Sequence, residues 1–191
     1  MSMTKLLAIT ISAAARGATT PALAAEPFKV ALELQGFSFA IEATNEGSIN
    51  KLKIVATGLT EDSSPAETEI DRTVPGAEIS DLDSNGFPEV YVYIASAGSG
   101  AYGSLVAYAV NKGKSMSPIF LPGIADDPKA SKGYMGHDSF AVQENALGRR
   151  LPIYNEGDTN SQPAGKTRQL QYKLKAGEAG WVLQLKDMTG F

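Results

Sequence analysis

A serine and a tyrosine stand three residues apart in a glycine-rich segment, "AGSGAYGSLVAYAV". Gly98, Gly100 and Gly103 permit tight backbone conformations that other residues avoid, and a run of strand-forming residues follows. In a tight projecting turn, the hydroxyls of Ser99 and Tyr102 would point outward together. Hydroxyl groups can donate hydrogen bonds to the carboxylates of another molecule. The spacing favours a binding loop, and the alternative is a plain hairpin turn with an incidental tyrosine.

A second group of polar residues, "DLDSNGFPEV", has the alternation of a calcium-binding loop. Asp81, Asp83 and Asn85 occupy positions 1, 3 and 5, a glycine follows at position 6, and Glu89 stands at position 9. The closing glutamate of an EF-hand is missing, because Val92 stands at position 12. The segment resembles the shorter Asp-x-Asp-x-Asp-Gly-x-x-Asp loops that precede strands in some extracellular β-domains. The alternative is an Asx-rich turn whose carboxylates accept local backbone N–H groups.

The residue inventory argues against several catalytic chemistries. The chain has no cysteine and one histidine, which excludes thiol catalysis and metal sites built from several histidines. His137 is adjacent to Asp138 and Ser139, but a catalytic triad requires side chains that converge in space, which adjacency does not supply. We interpret His137 as an ordinary loop histidine. The 21 acidic residues leave a glycosidase-type carboxylate pair open, although no pair stands out.

The first 24 residues have the order of a secretory signal peptide. Lys5 precedes an apolar run of about ten residues, and Ala22-Leu23-Ala24 supplies the small residues of a cleavage site. We expect cleavage after Ala24, which separates the signal peptide (1–24) from the mature domain (25–191). The apolar run is shorter than the roughly 20 residues that span a bilayer. The alternative is a disordered or helical tail of a cytosolic protein.

The expected mature chain is acidic and has 167 of the 191 residues. Without Lys5 and Arg16 it carries 15 basic and 21 acidic residues, a net charge of −6. Such a surface attracts a cationic partner, and no basic patch indicates nucleic acid. A domain without disulfides is held together by burial alone, which suits a bacterial periplasm. No other segment is predicted to cross a membrane.

Nearly every apolar segment alternates with period two, which is typical of β-strands. The pattern is clear in "FKVALEL", "FSFAIEA" and "KLKIVA", and a hairpin is predicted where "RQLQYKLK" and "WVLQLKDM" flank residues 176–180. Two segments, "EVYVYIA" and "SLVAYAV", are apolar on both faces and are predicted to be central strands covered on both sides. No long helical period is present. We predict a single all-β domain of two antiparallel sheets, similar to a β-sandwich.

Two polar connections, residues 58–69 and 123–138, are predicted to be loops. Loops longer than about 12–15 residues are often functional or mobile. The lone Trp181 is predicted to anchor the core. Arg149 and Arg150 are interpreted as a solvated pair that would at most assist at the rim of a binding site.

Together these features resemble the periplasmic inhibitors of invertebrate-type (I-type) lysozyme. The likeness covers residues 28–191 and includes "DLDSNGFPEVYVY" and "GYMGHDSFAVQENALGRRLPIY". Its most specific part is Ser99-Gly100-Ala101-Tyr102. The resemblance implies a β-sandwich-like homodimer that inserts this loop into the active-site cleft of the lysozyme, with Ser99 and Tyr102 as the inserting side chains. We expect backbone N–H groups around Gly100 to bind the partner as well. It implies no calcium requirement, and we expect no cofactor.

Three hypotheses follow for function. The first is a periplasmic inhibitor, not an enzyme, that blocks peptidoglycan hydrolysis by I-type lysozyme. The second is a calcium-stabilised envelope module that recognises a glycan or a surface protein, and the third is a carboxylate-dependent hydrolase. We expect the first, with I-type lysozyme and a second copy of the chain as partners.

Overall fold

The computed structural model describes residues 26–96 and 100–191, so the predicted signal peptide lies outside the described residues. The described chain is almost entirely β-structure, with one turn of 3-10 helix (Ile124–Asp126) and one short helix, α1 (Pro128–Ser131). The strands are β1 (Phe28–Leu34), β2 (Phe37–Ala43), β3 (Asn50–Thr57), β4 (Ala66–Ile70), β5 (Thr73–Ser80), β6 (Glu89–Ala95), β7 (Gly103–Asn111), β8 (Ser115–Phe120), β9 (Ser139–Gln143), β10 (Ala146–Pro152), β11 (Thr167–Gly177) and β12 (Gly180–Gly190). Within these residues, no helix is long and apolar enough to cross a membrane.

The first sheet contains β1 to β4 in sequence order, and every pairing in it is antiparallel. Its strands follow the alternation of the sequence: Phe39 and Ile41 of β2 and Leu52 and Ile54 of β3 are buried, while intervening residues face solvent. Because successive side chains point to opposite faces, a shift of one residue would expose this whole apolar set. The strands predicted in this region are confirmed.

The second sheet, which we call the curled sheet, has eight strands in the order β5-β6-β7-β8-β12-β11-β10-β9. Antiparallel pairing throughout is not confirmed, because β12 runs parallel to β8. The two edge strands approach each other: the backbone N–H of Val142 in β9 donates to Glu78 Oε2 in β5 at 2.7 Å. Tyr93 also stacks on Phe140, with ring centroids 6.0 Å apart. The curled sheet is therefore nearly closed.

β6 separates two hydrophobic cores. Val90, Val92 and Ile94 point toward the first sheet, where they pack with the buried residues of β2 and β3. Tyr91 points the opposite way, into the interior of the curled sheet, where it belongs to a cluster that includes Leu147. Each buried aliphatic or aromatic side chain of this kind contributes about 1.5–3 kcal/mol. The prediction that this segment is covered on both sides is confirmed.

The connections differ in part from the prediction. The segment 58–69 contains most of β4, which pairs with β3, so its last four residues form a strand and not a loop. The segment 123–138 contains α1, whose first amides donate to the Asp127 carboxylate at 2.8 and 3.0 Å. The predicted hairpin of β11 and β12 is present. Trp181 lies next to the turn of this hairpin and is only partly buried, with its Nε1 donating to Asn111 Oδ1 at 2.9 Å.

Candidate functional site

Two of the predicted binding residues, Gly100 and Tyr102, lie in the connection between β6 and β7. The last residue pair of the two strands is Ala95 with Gly103, and we call residues 96–102 between them the β6–β7 loop. Ser99 lies outside the described residues, as do its two preceding neighbours. Gly100 and Tyr102 are described, so the structure places two of the three predicted partner-binding residues.

Tyr102 combines a fixed backbone with an exposed ring. Its backbone N–H donates to Ser96 Oγ at 2.7 Å, and its carbonyl accepts Arg72 Nη1 at 2.8 Å. The residue is nevertheless 44% exposed. Its ring contacts Tyr134 edge to face, with centroids 5.6 Å apart and planes at 77°. The phenol is therefore presented to solvent from a backbone that is bonded on both sides.

The segment before β9 lies directly under the β6–β7 loop. The backbone N–H of His137 donates to the carbonyl of Ala101 at 3.1 Å. Gly136 has a left-handed φ of +94°, and a Cβ at this position would lie 2.2 Å from the carbonyl oxygen of Gly100. Only glycine allows both this backbone conformation and this approach. His137 is exposed in the connection before β9, in agreement with its interpretation as a loop histidine.

Asp138 connects the segment before β9 to Gly103, the first residue of β7. Its Oδ1 accepts the backbone N–H of Gly103 at 2.7 Å and the hydroxyl of Tyr134 at 3.0 Å. Its Oδ2 accepts Arg149 Nε at 2.6 Å, and Arg149 Nη2 also donates to the Tyr134 hydroxyl at 3.0 Å. The side chain of Asp138 is fully buried. Because both carboxylate oxygens are bonded to other segments, this group holds the β6–β7 loop in place.

Arg149 is buried and ion-paired, so its interpretation as a solvated rim residue is wrong. Its guanidinium lies over the rings of Tyr134 and Phe140, at 5.3 and 5.1 Å from their centroids. Burial acts to lower the pKa of Arg149, but the Asp138 carboxylate together with Tyr134 and Tyr172 raises the pKa above its ordinary value. Burial raises the pKa of Tyr134 to about 12, so its hydroxyl keeps its proton at neutral pH. Arg150, the next residue, is exposed as expected.

The chain after β10 also contacts the β6–β7 loop. The hydroxyl of Tyr154 donates to the carbonyl of Asn160 at 2.9 Å, and the Asn160 amide nitrogen lies 3.5 Å from where a Cβ of Gly100 would be. The ring of His137 lies 6.4 Å from that of Tyr154. Aromatic and amide groups thus surround the exposed phenol of Tyr102. Such a surface is suited to binding, since aromatic anchors are enriched where proteins contact partners.

The sequence did not predict that Gly136, Asp138 and Arg149 support the β6–β7 loop, because these residues are distant from it in the chain. The glycine and the aspartate in "GYMGHD" were visible, but their contact with the β6–β7 loop requires the near closure of the curled sheet, which brings β9 back toward β5 and β6. Arg149 stands in a strand with an arginine neighbour, which is a pattern typical of a solvated face.

The acidic residues of the predicted calcium loop are brought together between β5 and β6. One carboxylate oxygen from each of Asp81, Asp83 and Glu89 lies within 4.8 Å of the others. Asp81 is partly desolvated, but hydrogen bonds from Gln35 and from the amides of Gly86 and Asn85 hold its pKa below the ordinary value. Burial raises the pKa of Glu89 to about 8, and the charges of Asp83 and Asp81 act in the same direction.

No protein-family model matches the chain, and no curated protein matches it significantly.

Proposed function

We propose that this protein is a periplasmic inhibitor of I-type lysozyme that inserts the β6–β7 loop into the active-site cleft of the enzyme. The observation that carries the proposal is the presentation of Tyr102, whose ring is exposed while its backbone is bonded to Ser96 and Arg72. A side chain presented from a fixed backbone loses little conformational freedom on binding, so more of its contact energy appears as affinity.

The chemistry of the target supports the same loop. A lysozyme cleaves glycosidic bonds with an acid carboxyl and a second carboxylate in a cleft. The Tyr102 hydroxyl and the Ser99 hydroxyl are donors for those carboxylates, and the tyrosine ring fills the space of a sugar. A hydrogen bond to a charged partner is worth about 1.5–3 kcal/mol. A buried aromatic anchor at an interface centre is typically worth about 2 kcal/mol or more when truncated.

Binding without turnover agrees with the groups around the loop. Asp138 and Arg149 offset each other's charge in a buried pair that supports the loop. The acidic surface of the mature chain accelerates encounter with a cationic partner, an effect that salt weakens. The packing of the first sheet against β5 to β7 supports a sandwich-like arrangement. The homodimer is part of the proposal, and sedimentation of the mature protein tests it.

A titration of mature protein into an I-type lysozyme that is lysing cell walls tests the proposal, with a c-type lysozyme as a control enzyme. We expect dose-dependent inhibition of the I-type enzyme. The double variant Ser99→Ala with Tyr102→Ala should raise the inhibitory concentration by about 100-fold or more, given the contributions above. Phe120→Ala is the matched control, because Phe120 is an aromatic residue that is 64% exposed at the end of β8, outside the β6–β7 loop. Undiminished inhibition by the double variant would refute the assignment of the loop.

A further inference from the structure

The connection between β5 and β6 brings three acidic side chains to one point. Asp81 directly follows β5, and Glu89 is the first residue of β6. One oxygen each from Asp81, Asp83 and Glu89 lies within 4.8 Å of the other two. Calcium is bound by oxygen ligands at about 2.3–2.6 Å, so two ligands on opposite sides of one ion are about 5 Å apart. A single calcium ion can therefore reach all three oxygens.

Glu89 provides an independent reason to expect a ligand at this point. Its side chain is fully buried. Oε2 accepts the backbone N–H of Leu82 at 2.8 Å and the hydroxyl of Tyr91 at 3.3 Å. Oε1 has no hydrogen-bond partner in the described part of the chain. Buried polar atoms are nearly always satisfied, so a buried carboxylate oxygen without a donor indicates a group that the protein itself does not supply.

The local charge points to a cation. The three carboxyl groups lie side by side, and within residues 26–96 and 100–191 no Lys or Arg nitrogen lies within 4 Å of any of them. A buried carboxylate beside two others is strongly unfavourable unless a bound proton or a bound cation compensates its charge, and a cation can compensate all three groups at once. Carboxylates are hard oxygen ligands that select calcium or magnesium over softer metals. Calcium tolerates irregular coordination, whereas magnesium requires near-ideal octahedral geometry.

The neighbouring hydrogen bonds orient the two aspartates. Asp81 Oδ2 accepts both Gln35 Nε2 at 2.8 Å and the backbone N–H of Gly86 at 2.9 Å, whereas Oδ1 accepts one bond, from the backbone N–H of Asn85 at 2.9 Å. Asp83 accepts the side-chain amide of Asn85 at 3.0 Å. Carboxylate oxygens that accept one such bond keep a second lone pair for a metal ion. These contacts hold the two aspartates beside Glu89 and lower the entropy lost on ion binding.

We propose that Asp81, Asp83 and Glu89 bind one calcium ion between β5 and β6. The ion compensates the charge of the buried Glu89 and ties the end of β5 to the start of β6, a strand that lines both hydrophobic cores. Its role is structural stabilisation of the folded chain. The proposal is independent of lysozyme inhibition, since the β6–β7 loop lies at the opposite end of β6.

Calcium binding to the full mature protein, first stripped with a chelator, tests this inference by calorimetry and thermal unfolding. We expect binding of one ion and a melting temperature that rises by about 5–10 °C when free calcium exceeds its Kd 100-fold. Magnesium at the same concentration should give a much smaller shift. Terbium luminescence is a second probe, because the Tyr91 ring next to Glu89 is positioned to sensitise a bound ion.

Two ligand variants and one control complete the experiment. Asp83→Asn keeps the size of a side chain that is not buried, so it should fold normally and weaken calcium binding at least tenfold. Glu89→Gln should abolish the terbium signal and the calcium-dependent shift. Asp187→Asn, a change at an exposed acid on β12, should bind as the wild type does. Absence of calcium binding by the wild type, equal shifts with magnesium, or wild-type affinity in Asp83→Asn would each overturn the proposal.

Discussion

The carboxylate of Asp138 accepts a hydrogen bond at 2.7 Å from the backbone N–H of Gly103, 35 residues away in the chain. Gly103 begins β7 and directly follows Tyr102, while Asp138 directly precedes β9. The contact therefore ties the end of the β6–β7 loop to a buried ion pair in the curled sheet. An exposed binding residue and a buried charge network are thus parts of one structural unit.

The hydroxyl and the ring of Tyr102 should contribute separately to inhibition. Tyr102→Phe keeps the ring, so a loss in affinity of about 1.5–3 kcal/mol would report a hydrogen bond to a lysozyme carboxylate. Tyr102→Ala should weaken binding further. Inhibition constants and calorimetry measure both changes. Equal inhibition by Tyr102→Phe and the wild type would show that the hydroxyl bonds no charged partner.

Breaking the buried ion pair should destabilise the fold strongly. Asp138→Ala leaves the Arg149 guanidinium buried without its counter-charge, and such changes typically cost about 3–5 kcal/mol. Urea unfolding measures the difference. The neighbouring Arg150→Ala is the matched control, and because Arg150 is exposed, the change should cost about 1 kcal/mol or less. The double variant Asp138→Ala with Arg149→Met should lose less free energy of unfolding than the two single variants lose in sum. A loss below about 1 kcal/mol in Asp138→Ala would contradict this account of the pair.

The approach of Gly136 to the β6–β7 loop predicts a large effect of a single methyl group. Gly136→Ala places a Cβ 2.2 Å from the carbonyl oxygen of Gly100 and strains a φ of +94°. Gly157→Ala is the matched control, with a φ of +89° and no atom within 4 Å of the added Cβ. The control should cost about 1 kcal/mol from backbone strain alone. Gly136→Ala should cost more and also weaken lysozyme inhibition; equal effects of the two variants would show that the close approach is not important.

The near closure of the curled sheet should depend on Glu78. Its carboxylate accepts both the Val142 amide and the Tyr93 hydroxyl, so Glu78→Ala removes the acceptor of two partly buried donors. We expect a loss of about 1–3 kcal/mol and faster hydrogen exchange at the Val142 amide. Glu67→Ala, which removes an exposed ion pair with Lys53, should leave the exchange of β9 unchanged. Unchanged exchange in Glu78→Ala would mean that this contact does not hold the sheet edges together.

Local patterning was enough to predict much of the β-structure. The segments that became β1, β2, β3, β11 and β12 alternate with period two, because each has one face on a core and one in solvent. The segment of β6 is apolar on both faces because both faces meet a core. The acidic cluster was also visible, since Asp81, Asp83 and Glu89 are near in sequence and a glycine turn suffices to bring them together.

Packing between distant segments decided the rest. β10 contains glycine and two arginines, a composition that does not predict a buried strand. Arg149 is nevertheless buried, because Asp138, which precedes β9, forms an ion pair with it. The parallel pairing of β8 with β12 likewise has no local signal, since it joins segments that are distant in the chain. The hydrophobic periodicity of a segment indicates only which of its faces is buried. The three-dimensional path of the chain determines which segment covers that face. It also determines which charge compensates a buried arginine or glutamate.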